Sequence, residues 1–151
     1  MLMLRALVIT LLASTSATPA SAASFSLFTI REPVYAMIEG VLLAGEAVAH
    51  WDRTGTLTVH STLDDSLQCG GNFQFTGAKA GRAQISCNDG SRAVLAFTAL
   101  GVLSGWGRGE TPRGLVRFTF GLSPAAAAPY LELPPGKRIV LTEQGPKLQD
   151  N

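Results

Sequence analysis

The sequence has little charge, and neither sign predominates. Charged residues make up 15% of its 151 residues, and 12 Lys and Arg stand against 11 Asp and Glu, for a formal net charge of +1. A dedicated nucleic-acid-binding domain carries a clear basic excess, and an acidic solvating tail carries a run of carboxylates. We therefore expect no nucleic-acid partner and no acidic tail.

Long hydrophobic runs are also missing. The apolar run at residues 6–13 is shorter than the about 20 residues that a membrane-spanning helix needs, and no later run is long enough. This run follows Arg5 and precedes a stretch that ends in a small-x-small pattern at residues 20–22, which is the layout of a secretory signal peptide. We expect residues 1–22 to be removed and the rest to be exported, to the periplasm or the extracellular space, without a membrane span.

Common catalytic and metal-binding signatures are absent from the sequence. No serine stands in a Gly-x-Ser-x-Gly motif, and the adjacent carboxylates Asp64 and Asp65 lie in a polar connection, where side chains usually face water. His50 and His60 flank a turn whose expected four-residue form pairs Ala47 with His60 and points the two imidazoles to opposite faces, which disfavours a shared metal. We therefore expect a non-enzymatic protein with no metal and no cofactor.

The composition of the remaining chain is typical of an all-β protein. It is rich in Gly, Thr, Val, Leu and Phe, and all 16 glycines lie at or after Gly40. Short apolar stretches separated by turn residues predict strands joined by tight turns. We predict a small antiparallel barrel or sandwich of about seven or eight short strands built from hairpins. One short helix is expected near residues 124–130, because Ser123 and Pro124 suit the N-cap and the first helical position.

The same pattern predicts how the chain is divided. After the signal peptide we expect a lead-in at residues 23–33 and a single β domain at residues 34–143. Within that domain, residues 34–44 indicate a strand interrupted by Gly40. The polar composition of residues 144–151 predicts a flexible tail.

The two cysteines, Cys69 and Cys87, are expected to form a disulfide. An even pair in an exported protein indicates a structural disulfide, and neither a Cys-x-x-Cys motif nor metal-ligand spacing is present. A hairpin centred on Ala78 predicts the following pairs: Cys69 with Cys87, Gly71 with Ile85, and Phe73 with Ala83. All of these residues then face one side of the strand pair. Directly opposed residues at a non-hydrogen-bonded position lie about 4.5 Å apart at Cα, which suits a disulfide.

Three alternating glycines, Gly105, Gly107 and Gly109, are predicted to lie in a second hairpin. Their spacing does not match a phosphate-binding loop, and no long helix follows them. A four-residue loop pairs Gly105 with Phe118 and Gly107 with Val116, so that large apolar side chains cover the glycines.

The other face of that hairpin carries the candidate ligand surface. Trp106 is expected opposite Arg117, with Arg108 and Arg113 nearby. A tryptophan among guanidinium groups can stack on a sugar ring or attract an anionic group. The alternative interpretation is a cation–π pair on a solvent-facing surface.

Several motifs resemble a small secreted bacterial β domain found in uncharacterised proteins. The motifs are DRTGT at residues 52–56, CGGNF at 69–73, CNDG at 87–90, SGWGRG at 104–109 and FTFGL at 118–122. The resemblance covers roughly residues 34–122. It implies an all-β fold, export and the disulfide, but it assigns no activity and no functional residues.

These observations lead to one main functional hypothesis and two alternatives. The main hypothesis is an exported, non-enzymatic binding or structural module of the cell envelope. The sequence does not identify its ligand, and a glycan and another envelope protein are the candidate partners. The first alternative is a subunit of an envelope assembly that pairs through an edge strand. The second is an envelope hydrolase, which needs a cluster of perturbed titratable groups in a pocket.

Overall fold

Eight antiparallel strands form a closed barrel in the computed structural model, which describes residues 29–64 and 66–151. The strands follow one another around the barrel, and β8 pairs with β1 to close it. They are β1 (Ile30–Ile38), β2 (Val41–Ala49), β3 (Thr54–Ser61), β4 (Gln68–Phe75), β5 (Ala80–Cys87), β6 (Arg92–Ala99), β7 (Gly105–Thr111) and β8 (Gly114–Phe120). The prediction of a small antiparallel barrel or sandwich is thus confirmed, and of these two alternatives the structure is a barrel. The expected signal peptide at residues 1–22 lies outside the described residues.

A second layer follows the barrel in the chain and packs on its outside. It consists of the helix α1 (Pro124–Leu131) and a hairpin of β9 (Lys137–Thr142) and β10 (Gly145–Asp150). The predicted short helix is confirmed, including its start, since the hydroxyl of Ser123 accepts a hydrogen bond from the backbone N–H of Ala126. The prediction of a flexible tail at residues 144–151 is wrong, because most of that segment is β10. Leu148 in β10 packs against the apolar cluster between the two layers, which the polar composition around it concealed.

Alternation of buried and exposed residues shows why the barrel strands have one apolar face. In β3, β5 and β6 every second residue is buried or partly buried, and these residues point into the barrel. In β1 and β2 the buried residues are nearly continuous, because the second layer covers their outer face. The outward cluster contains Tyr35, Met37, Leu42, Ala44, Ala127, Leu131 and Ile139.

Residues 34–44 form two strands, whereas the sequence indicated one interrupted strand. The chain reverses at Glu39 and Gly40, whose φ angles of 52° and 76° are both positive, and Ile38 pairs directly with Val41. Two central residues with positive φ are typical of a type I′ hairpin turn, whose twist matches that of the flanking strands. The continuous apolar run concealed this turn, because both strands are buried on two faces.

The hairpin that carries the disulfide has the predicted register. Cys69 pairs with Cys87, Gly71 with Ile85, and Phe73 with Ala83, and the two cysteines are bonded, with their Cα atoms 4.0 Å apart. Cys69 is buried among the apolar residues that fill the barrel. The bond therefore joins β4 and β5 from inside the barrel.

The predicted register of β7 and β8 is wrong by two residues. Their loop has only two central residues, Pro112 and Arg113, and the resulting pairs are Gly105 with Phe120, Gly107 with Phe118, and Gly109 with Val116. A shift of two residues keeps each side chain on its predicted face. Large apolar residues therefore still cover the glycines, and Thr119 takes the place predicted for Arg117 opposite Trp106.

Three turns of the barrel contain the same local motif, in which an aspartate carboxylate accepts hydrogen bonds from a serine or threonine two residues later. The carboxylates of Asp52, Asp64 and Asp89 accept hydrogen bonds from the hydroxyl and the backbone N–H of Thr54, Ser66 and Ser91, respectively. These bonds, the hydroxyl bond foremost, hold the pKa of each carboxyl below its ordinary value.

We expect these three carboxylates to make the fold less stable in acid. A carboxyl whose pKa is lowered in the folded state contributes stability above its unfolded pKa of about 3.9, and this contribution is lost as the pH falls through the folded value. The free energy of unfolding in urea should therefore decrease below about pH 4. The triple variant Thr54→Val, Ser66→Ala, Ser91→Ala should show a weaker decrease, and an unchanged profile would contradict this explanation.

Candidate functional site

Trp106, the centre of the predicted ligand surface, is half-buried under the helix. Its indole ring stacks on the ring of Tyr130 in α1, with centroids 5.7 Å apart and planes 26° apart. One face of the indole ring is therefore occupied by the chain itself. Because the sequence did not reveal where α1 packs, it could not predict this contact.

The three arginines of the predicted surface are divided between two places. Arg108 and Arg117 lie opposite each other on β7 and β8, and Arg117 forms an ion pair of 2.8 Å with Glu132. Arg113 lies in the turn at one end of the barrel, within 3.5 Å of Asp89 and 3.7 Å of Glu39. Trp106, Arg108 and Arg117 thus share a side of the barrel, whereas Arg113 lies apart from them. A ligand role for this surface stays a prediction.

Thr119, the cross-strand partner of Trp106, has a buried hydroxyl that forms no hydrogen bond with any described residue. Its side chain is completely inaccessible to solvent. We expect Thr119→Val to stabilise the protein by about 1 kcal/mol, because a valine of similar shape removes an unsatisfied polar group. Thermal and urea unfolding measure this change. A variant less stable than the parent would indicate that the hydroxyl is satisfied in solution.

The two histidines lie far apart on the barrel surface. The expected pairing of Ala47 with His60 is wrong by three residues, since His60 pairs with Ala44. His50 follows the end of β2, six residues along from Ala44, which corresponds to about 20 Å at strand spacing. Among residues 29–64 and 66–151, no three His, Cys, Asp or Glu residues form a group that could hold a metal ion.

A large and mostly apolar opening lies at the end of the barrel where β1 begins. Alternate hairpin loops of an antiparallel barrel lie at the same end, so residues 50–53, 76–79 and 100–104 meet here, and we call this the mouth end. They surround a crater of about 590 Å³. The crater is lined mostly by apolar side chains, among them Ile30, Trp51, Phe73, Phe75, Val102 and Leu103.

Four large apolar side chains at this opening are exposed, and we call them the mouth rim: Ile30, Trp51, Val102 and Leu103. Trp51 is 86% exposed and Val102 is 92% exposed. Ile30 and Leu103 are 42% and 37% exposed. Exposed apolar residues that are scattered singly need no explanation, but a contiguous group around an opening indicates a binding surface.

The crater is shallow, because aromatic residues fill the barrel below it. Phe97 lies at the centre, with the rings of Phe73, Phe75 and Phe120 packed edge-on at centroid distances of 6.2, 5.1 and 5.5 Å. The interior voids measure only about 30 and 20 Å³. Each void is too small for more than a water molecule. The barrel interior therefore has no room for a ligand, and any binding would take place on the surface.

Arg53 holds two of the mouth loops together. Its guanidinium donates hydrogen bonds to the carbonyl oxygens of Gly77 and Ala78, at 2.6 and 3.1 Å, and lies 4.5 Å over the ring of Phe75. Backbone hydrogen bonds also close two of the mouth loops, from His50 N–H to the carbonyl oxygen of Thr54 and from Leu100 N–H to that of Ser104. The crater is thus held in shape by contacts within the chain.

The sequence contained a signal for this site that reasoning from motifs missed. Trp51 lies inside a hairpin turn beside Asp52 and Arg53, and Val102 lies in a Gly-flanked loop. Large apolar residues at such positions are unusual, because loop tips usually carry polar side chains. Their common location became apparent only from the number of strands, which determines which loops lie at the same end.

Comparison with known proteins assigns no family to this chain. No model of a known family matches it, and no curated protein matches it. A solved structure described as a redesigned β-barrel is similar over 62% of this chain and 89% of its own, with 13% sequence identity and a TM-score of 0.49. A similarity at this level carries no argument about function.

Proposed function

We propose that this chain is an exported, non-enzymatic binding module that holds an amphiphilic ligand at the mouth of its barrel. The observation that carries this proposal is the exposure of the mouth rim around a preformed apolar crater. Covering such a surface removes apolar area from water, which is the main favourable contribution to binding. The filled barrel interior supports a ligand that is bound at the surface and remains partly in contact with solvent.

Charged groups near the crater favour a ligand with an acidic head group. The loops of the mouth end carry Arg53 and Lys79, against the single carboxylate of Asp52. The guanidinium of Arg53 keeps its positive charge while it binds the two carbonyl oxygens. An acyl chain with a terminal carboxylate combines the apolar and the acidic part that this arrangement would bind.

Export remains part of the proposal and rests on residues 1–22. The layout of these residues is that of a secretory signal peptide. The bond between Cys69 and Cys87 is typical of proteins that leave the reducing cytoplasm. No helix within residues 29–64 and 66–151 is long and apolar enough to cross a membrane.

Binding of monomeric laurate to the purified chain tests the proposal. The chain has two tryptophans, so Trp106→Phe leaves Trp51 as the only indole, and its fluorescence should change saturably with laurate. In the parent chain, calorimetry should show that Val102→Ser with Trp51→Ala weakens binding at least about tenfold, because both apolar contacts are lost. Leu141→Ser is the matched control, since Leu141 is 65% exposed on β9, outside the mouth. Absence of saturable binding, or equal losses in the two variants, would reject the proposal.

The edge-strand alternative is confined to one part of the described chain. A closed barrel has no free strand edge. Among the described strands, only those of the β9–β10 hairpin lie in a sheet with open edges. Assembly through an edge would therefore involve this hairpin, and sedimentation velocity at increasing concentration would detect association of the chain with itself.

The hydrolase alternative gains no support from the described titratable groups. The carboxylates with lowered pKa are exposed turn residues, and each owes its shift to its own neighbouring hydroxyl. Asp52 lies at the mouth end, whereas Asp89 lies near Arg113 at the opposite end. The pKa of Tyr35 is raised by burial between the barrel and the second layer. These groups do not share a pocket.

A further inference from the structure

We infer that the partner of the mouth rim is the surface of an anionic lipid bilayer, on which the barrel stands with its mouth end down. This inference rests on the proposed function, because it identifies the source of the amphiphile that the crater binds. It requires no membrane-spanning segment. The mouth rim would enter the boundary between head groups and acyl chains, and the remainder of the barrel would stay in water.

The position of the most exposed rim residues favours an extended surface over a single small ligand. A small molecule is usually enclosed by its site, which buries most of its surface. Trp51 and Val102 line the edge of the crater, yet they are 86% and 92% exposed, so most of each side chain extends beyond it. A molecule lying in the crater would contact only part of each of these two side chains, whereas a bilayer boundary would cover both side chains more completely.

The kind of residue in the rim also suits a bilayer boundary. Tryptophan is enriched at membrane–water interfaces, because its ring is apolar and its N–H group can remain hydrated. Trp51 and Val102 belong to different loops of the mouth end, and Leu103 and Ile30 complete the apolar surface between them. Two apolar loops on one rigid barrel can enter an interface together without any change of fold.

The two ends of the barrel differ in charge, and an anionic surface would orient the barrel with its mouth end toward the membrane. The mouth-end loops carry Arg53 and Lys79 against Asp52. The turns at the opposite end carry Glu39, Asp64 and Asp89 against Arg113. Anionic lipids attract basic groups within a Debye length and repel carboxylates, so the mouth end is favoured toward the membrane.

Co-sedimentation of the exported form, which begins after residue 22, with vesicles tests this inference. We compare vesicles of phosphatidylcholine alone with vesicles of mixed phosphatidylcholine and phosphatidylglycerol. The chain should bind the mixed vesicles more tightly, by about thirtyfold for two basic groups near the surface, and added salt should remove this preference. Val102→Ser with Trp51→Ala should weaken binding about a hundredfold, because two apolar side chains no longer enter the lipid. The control Leu141→Ser should bind like the parent chain.

A second readout locates the contact. In the Trp106→Phe variant, bromine atoms on the lipid acyl chains should quench the fluorescence of Trp51, which is then the only indole. Quenching of Trp51 in the Trp106→Phe variant would support docking through the mouth end, provided that the control Leu141→Ser still binds the vesicles like the parent chain. Binding without quenching would place the contact elsewhere and overturn the inference.

The remaining outcomes separate this inference from the proposed function. Binding of laurate without binding of either vesicle would overturn the bilayer and leave the amphiphile site intact, whereas failure of both would overturn both. Equal binding to the two vesicles would overturn the anionic assignment. A dimer that depends on Trp51 and Val102, found by light scattering without vesicle binding, would identify a second copy as the occupant. Vesicle binding that appears only after deletion of residues 23–28 would identify this segment of the chain as the occupant of the mouth end. Either the dimer or this effect of the deletion would overturn the inference.

Discussion

Gly71→Ala is expected to destabilise the barrel by about 4 kcal/mol or more, which is enough to unfold many domains of this size. A Cβ atom on Gly71 would lie 1.9 Å from the carbonyl oxygen of Gln84 and 2.9 Å from the Cα atom of Ile85. Both atoms belong to the backbone of β5, the strand that pairs with β4 at this point. Because backbone atoms cannot rotate away, the two strands would have to separate.

Gly70→Ala provides the matched control, one residue earlier in the same strand. Its Cβ atom would lie 3.6 Å from the nearest atom, the carbonyl oxygen of Leu57, which is ordinary contact. Urea unfolding followed by circular dichroism should show a change within about 1 kcal/mol for this variant, since alanine also reduces the entropy of the unfolded chain. If Gly71→Ala changed stability as little as Gly70→Ala, β4 and β5 would not be in the close contact described here.

The same close approach recurs around the barrel and accounts for its curvature. A Cβ atom on Gly45 would lie 1.9 Å from the carbonyl oxygen of Thr58, and one on Gly107 would lie 2.3 Å from that of Ala96. In each case an inward-facing glycine lies against the backbone of the neighbouring strand. Glycines at such positions allow strands to bend sharply enough for a small barrel to close.

Most of the strand pattern could be predicted from the sequence, but the register could be predicted only where a second constraint existed. For β4 and β5, the cysteine pair and the apolar alternation indicated the same pairing, which is the one observed. For β7 and β8, the alternation alone could not distinguish registers that differ by two residues, because both place the same residues inside. For β2, burial on both faces removed the alternation, and the predicted pairing with β3 was wrong by three residues.

The candidate site was harder to predict because it depends on contacts between distant segments. Trp106 was predicted to lie at the centre of a ligand surface, but in the structure Tyr130 in α1 covers one face of its ring. Ser123 and Pro124 predicted that a helix begins there, but not which strands it packs against. Trp51 and Val102 are 51 residues apart in the sequence, and only the closed eight-stranded topology brings them to the same opening.

Phe97→Ala is expected to lower stability by about 4 kcal/mol, because it removes the central ring of the barrel core. Phe97 is 5% exposed and contacts three other phenylalanine rings edge-on. Two of these, Phe73 and Phe75, also line the crater, so the loss would affect the floor of the proposed binding site. Urea unfolding measures the change, and Phe97→Leu, which keeps most of the apolar volume, should lose roughly half as much.

A double-mutant cycle with Gly81 determines whether the Phe97 ring fills the position described here. The ring lies over Gly81, its cross-strand partner, and a Cβ atom there would be 2.0 Å from the Cζ atom of Phe97. Gly81→Ala should therefore be destabilising in the parent chain, since the ring must move. In the Phe97→Ala background the same change should cost nothing or restore some stability, because the new methyl group enters the cavity. We expect a coupling energy of about 1–3 kcal/mol in unfolding free energy. Additive effects would mean that the ring does not occupy the space above Gly81 in solution.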